Sequence, residues 1–147
     1  MNTTQYQTNE VALTLPDREF VDSTINAIRL PSLDASLVVS RGVMPDGATL
    51  ESVIDEQVKK LGTQVRDLHY SPRQSVKAGV GYNLTALEMQ SRFTRGKETL
   101  HQYQLAFVVP GTRVLMALTY TRSRAFTQAD ATHWETIKHG LKPFERA

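Results

Sequence analysis

The chain of 147 residues has no cysteine, so disulfides, thiolate nucleophiles and cysteine-ligated metal centres are excluded together. No stretch approaches the roughly 20 consecutive apolar residues that a membrane-spanning helix requires. The first ten residues are polar and lack the apolar centre of an export signal, which sets the expectation of a cytoplasmic protein. Charge is nearly balanced, with 17 Lys and Arg against 15 Asp and Glu. The one local basic cluster, Arg92, Arg95 and Lys97, reads as a solvated hairpin tip rather than a phosphate-binding site.

Sequence signatures of catalysis are missing too. The glycines fall singly at turns, and no nucleophile elbow, phosphate loop, zinc signature or calcium loop occurs. Ser40 and Ser91 have no base at a local spacing. His133 and His139, six apart on one expected helix, point in different directions and do not share a metal. His69 and His101 stand alone, and no Asp or Glu is spaced to orient His101. The chain therefore reads as a binding protein rather than an enzyme, with no cofactor or metal expected.

What is present is a set of short apolar strands and two helices, an α+β pattern for one domain spanning 1–147. Val11 to Leu15 alternates up to Pro16 and fits a short strand near a sheet edge, and Thr24 to Leu30 and Ser36 to Arg41 read as the next two strands. Leu50, Val53, Ile54, Val58, Leu61 and Val65 form a helical stripe from an N-cap at Thr49, which predicts a helix to about Arg66. Leu68 to Lys77 is an irregular strand interrupted by Pro72, and Tyr82 to Phe93 is a long one. The last helix is marked by Thr127 as N-cap, Asp130, Phe126 placed to staple on Ala131, and Gly140 before Pro143. Trp134, Ile137 and Leu141 are its apolar stripe.

The organising element is the hairpin of Thr99 to Val109 and Thr112 to Arg122. Side chains alternate across a strand, so Tyr103, Leu105, Phe107 and Val109 share a bulky face with Val114, Met116, Leu118 and Tyr120. The opposite face holds Gln102, Gln104, Ala106, Ala117, Thr119 and Thr121. It is small, mildly apolar and free of Lys and Glu, as expected for a surface that something covers, whether from this chain or another. The register of the strand 82–93 against this hairpin depends on the turn, so the face that holds Met89 stays open.

Several segments in order resemble the Eag-type adaptor chaperones of bacterial type VI secretion. They are Tyr6 with the strand before Pro16, Ser23-Thr-Ile-Asn-Ala-Ile-Arg-Leu-Pro31, Ala35-Ser-Leu-Val-Val-Ser-Arg41, the Gln102/Gln104 segment, Val114 to Thr121, and the Trp134 helix. The resemblance implies a PsbP-like fold, an antiparallel twisted sheet with helices packed on one face, working as a homodimer in the cytoplasm. It implies a chaperone that shields the N-terminal transmembrane helices of an effector and helps load it onto the secretion spike, without inserting in the membrane or binding nucleic acid. By position in the matching strands, Ile25 and Ala27 correspond to the family's apolar groove pair and Gln104 to its groove glutamine. Ala27 departs from the pattern, being smaller than the aliphatic residue expected there. Val38, Ser40, Gln102, Ala106, Ala117 and Thr119 complete the expected helix-binding set, because small residues allow close helix approach and Gln, Thr or Ser bond to polar groups. The competing reading of Ile25 and Ala27 is core packing under the chain's own helix, and the competing function is a carrier for a lipid-like ligand.

Overall fold

The computed structural model describes residues 2–144; residue 1 and residues 145–147 of the expected 1–147 domain lie outside them. The strands are β1 (Thr4–Gln7), β2 (Ala12–Leu15), β3 (Ile25–Leu30), β4 (Ala35–Val43), β5 (Arg66–Tyr70), β6 (Gln74–Ala78), β7 (Leu84–Arg95), β8 (Glu98–Val108) and β9 (Val114–Arg122). Helix α1 (Leu50–Gly62) lies between β4 and β5, and α2 (Gln128–His139) follows β9. Seven strands form one sheet in the order β3-β4-β9-β8-β7-β5, with β6 also paired to β7. Each of these pairings is antiparallel, so the fold is α+β with an antiparallel sheet and two helices.

The central hairpin has the expected parity. Tyr103 faces Tyr120, Leu105 faces Leu118 and Phe107 faces Met116. Its turn is closed by Thr112, whose hydroxyl donates to the Val109 carbonyl at 2.8 Å and accepts from the Val114 amide at 3.0 Å. Leu105, Phe107, Leu118 and Tyr120 are buried with Ala78, Leu84, Ala86 and Trp134 in the main core. Phe126, expected to staple onto Ala131, stacks on Tyr103 with ring centroids 4.2 Å apart. Tyr103 also stacks on Trp134 at 5.5 Å, so aromatic rings from β8, from α2 and from the loop before it anchor α2 to the sheet.

The helices do not share one face, which corrects the expectation. Trp134 places α2 over Leu105, Phe107 and Tyr120, whereas Ile54 of α1 is buried with Leu87, Met89 and Ala106 on the opposite face. The reason lies in β7, which is apolar on both sides: Ala86 faces α2, while Leu87 and Met89 face α1. Two further expectations shift. The strand before Pro16 does not border the main sheet but pairs with Thr4–Gln7 as a separate ribbon. Helix α1 ends at Gly62 rather than Arg66; Thr63 caps it through its backbone and its hydroxyl, which donates to the Lys60 carbonyl at 2.7 Å. The apolar stripe runs on to Val65 because the Gln64 and Val65 amides still bond to the Leu61 carbonyl in an irregular last turn.

Candidate functional site

Antiparallel register sets residues of neighbouring strands in rows, and the rows bring the expected binding residues together. One row runs Ile25, Ser40, Ala117, Ala106 and Leu87; the next runs Ala27, Val38, Thr119, Gln104 and Met89; a third runs Arg29, Ser36, Thr121, Gln102 and Ser91. Directly opposite residues share a face, so all nine residues of the expected set lie on one side of the sheet. That side is the one on which α1 packs.

Helix α1 covers only part of it. Ala106 is 7% exposed and belongs to the small core with Ile54, Leu87 and Met89, so it forms the floor against α1. Ser40, Gln104, Ala106, Ala117 and Thr119 line a groove of about 150 Å³ whose other wall is Ile54, Gln57, Val58 and Leu61 of α1. Beyond the groove, over β9, β4 and β3, the face opens. Val38, Ser40, Ala117 and Thr119 are half-buried, Ala27 is exposed, and Ile25 is 64% exposed. Ile25 and Ala27 are therefore not packed under the chain's own helix.

The polar groups of this face are only partly used. Gln102 donates to the Thr121 hydroxyl at 3.2 Å. The Ser91 hydroxyl is 3.5 Å from Oε1 of Gln104, at the outer limit of a hydrogen bond, and the Gln104 amide N–H groups have no partner among the described residues. Arg29 is the one charged residue in the three rows, at the outer end of the last. The arrangement offers apolar contact, close approach over alanine, and a few hydrogen-bonding groups, with no acid, base or nucleophile poised for chemistry. Among the described residues no group of three His, Asp or Glu is placed to hold a metal, and no helix is long and apolar enough to cross a membrane.

Three contributors escape the sequence reading: Leu87 and Met89, whose face depended on a turn, and Gln57 of α1. The signal for the first two was the Gly96-Lys97 pair between Arg95 and Glu98, which are register partners; Gly96 adopts φ +62°, and the two-residue link sets Met89 opposite Gln104. For Gln57 the signal was its spacing of four from Leu61, usable only once the side of the sheet that receives α1 is known.

No curated protein sequence matches the chain significantly. A crystal structure of a Pseudomonas aeruginosa protein of unknown function, described as a putative regulator, is similar with a TM-score of 0.72 and 21% identity, covering 99% of this chain and 100% of that one. At that identity the likeness establishes the shared fold. Sequence supplies the family: residues 10–140 match the DcrB family model, and the chain belongs to the DcrB family.

Proposed function

We propose that this protein is an adaptor chaperone of bacterial type VI secretion, binding the apolar N-terminal transmembrane helices of an effector in the cytoplasm and helping to load it onto the secretion spike. The observation that carries the reading is the convergence of the nine expected residues on one sheet face that α1 leaves partly open. Its dimensions suit a helix. From β3 across β4 to β9 the strand axes span about 10 Å, two inter-strand spacings, and a helix with side chains is about 10 Å across. Along this strip Ala27 and Ala117 permit close approach, and at its edge on β8 the free Gln104 amide can donate to a polar group that would otherwise be unsatisfied within an apolar helix.

A strip of one sheet touches one side of a helix. We therefore assign the other side to a second protomer, a homodimer in the manner of the PsbP-like chaperones the sequence resembles. The test is coexpression with the N-terminal apolar segment of an effector encoded beside the gene, then native mass spectrometry of the purified product. The reading predicts a dimer that retains the segment. A protein that instead retains a small lipid and rejects the segment would overturn it in favour of a carrier.

A further inference from the structure

On the α2 face, away from the groove, the register builds a row that no local spacing in the sequence reveals. His69 of β5 stands opposite Arg92 of β7, and Arg92 stands opposite His101 of β8. Arg122 of β9 continues the row but is held by Asp130 at 2.7 Å, so its charge is matched. Arg92 has no carboxylate partner among the described residues. A guanidinium without a carboxylate partner, flanked by two imidazoles, is a donor set that an anion would join.

These three side chains line one open cavity of about 420 Å³ with Asp67, Phe93, Thr94 and Thr99. The cavity exists because β5 breaks its register between Arg66 and His69, with Asp67 at φ +54°, which opens the sheet beside β7. The His69 and His101 backbones are about 10 Å apart, two inter-strand spacings, with Arg92 on the strand between them. His101 is already steadied by an edge-on contact with Phe126 at 5.9 Å between centroids. Its imidazole is held below the ordinary pKa, first by burial and then by the Arg92 charge, so an anion that neutralises Arg92 would also ease protonation of His101. Asp67 is the one acidic side chain in the lining. The donors come from separate strands as a guanidinium fork, two imidazoles and two threonine hydroxyls. A guanidinium fork with further N–H and O–H donors suits the several acceptor oxygens of a phosphoryl group.

We propose that the cavity walled by His69, Arg92 and His101 is a binding site for a phosphoryl group, separate from the helix-binding face. The source is either free phosphate or the headgroup of an anionic lipid, and the test distinguishes them. Histidine ring resonances are followed by NMR during titration with inorganic phosphate near pH 6, with sodium chloride at matched ionic strength as the control. Sedimentation with phosphatidylcholine vesicles, with and without phosphatidic acid, forms the second arm. The expected result is a saturable shift of the His69 and His101 signals, with little at His133, and a loss of about tenfold in affinity for Arg92→Gln. Arg92 is exposed, so this variant should melt as the native protein does, and Arg92→Lys should recover part of the binding. Vesicle binding that depends on phosphatidic acid and is displaced by phosphate assigns the headgroup; phosphate binding without vesicle binding assigns the free ion. Absence of a saturable histidine shift together with absence of vesicle binding would overturn the proposal, as would undiminished binding by Arg92→Gln.

Discussion

Replacing Asp130 by Asn removes one charge from the most heavily bonded carboxylate among the described residues. Asp130 is 2% exposed. Its Oδ1 accepts from the Tyr120 hydroxyl at 2.9 Å, and its Oδ2 accepts from Arg122 at 2.7 Å, from the Thr127 amide at 2.8 Å and from the Thr127 hydroxyl at 3.1 Å. The variant keeps the volume but leaves Arg122, whose Nε is already buried without a partner, as an uncompensated charge. Breaking a buried pair in this way costs about 3–5 kcal/mol, against a whole-domain stability of about 5–15 kcal/mol. With a urea dependence of about 2 kcal/mol per molar, the midpoint should fall by about 1.5–2.5 M. Burial by itself would raise the Asp130 pKa; the bonds from Thr127, Arg122 and Tyr120 outweigh it and hold the carboxyl below its ordinary 3.8. A depressed carboxyl stabilises the fold above the unfolded-state pKa and loses that contribution as pH falls through the folded value. Urea titrations of both proteins at pH 7, and at steps down to about pH 2, should therefore show a wide gap that narrows below about pH 4. Coincident midpoints at pH 7, or a gap indifferent to acid, would refute the reasoning.

Other consequences follow from the two cores and their connections. Leu105→Ala and Phe107→Ala, on the face covered by α2, should each lower stability by about 2–5 kcal/mol in chemical denaturation. Native-like midpoints would mean that the hairpin faces are inverted. Gly79→Ala should destabilise by more than about 1 kcal/mol, because Gly79 sits at φ +84° and an added Cβ would lie 3.1 Å from the Leu141 carbonyl and 3.2 Å from Leu84. A thermal melt within error of the native protein would show that the junction between β6 and α2 yields easily.

How much was legible depends on how far each contact reaches. The two faces of the hairpin could be read because period-two alternation and a link of even length decide parity locally: the expected two-residue turn and the observed four-residue turn 110–113, between Val109 and Val114, give the same faces. That Ile25 and Val38 share a face with Thr119 and Gln104 was not legible in local alternation, since β4 reaches β9 through a nonlocal pairing; the expectation came from the resemblance. The side of the sheet taken by α1 could not be read either. Its stripe of Leu50, Ile54 and Val58 states that one helix face is buried, not which sheet face receives it. Strand β1 escaped because Thr-Gln-Tyr-Gln carries one apolar residue; it is held instead by pairing with β2 and by the Tyr6 hydroxyl, which donates to Asp22 at 2.9 Å. The His69–Arg92–His101 row was invisible because β5 reaches β7 through a nonlocal pairing with a break in register. The basic cluster itself divides on folding: Arg92 joins the row, while Arg95 lies over the Phe93 ring at 5.4 Å on the other side.

The claim that the partly open face is the helix-binding groove is tested most directly by Ile25→Asp and Gln104→Asp, measured together for fold and for retention of an apolar effector segment. Ile25 is 64% exposed and Gln104 half-buried, so water reaches both when the face is empty. The aspartate at position 25 should cost the free protein no more than about 0.5 kcal/mol. Against a bound helix either carboxylate would be desolvated without a partner, a penalty of several kcal/mol that lowers affinity by more than about a hundredfold. The account predicts normal circular dichroism and melting for both variants, with the segment lost from the copurified complex. Variants that melt normally and retain the segment would show that this face is not the groove, and variants that unfold would return Ile25 and Gln104 to the core.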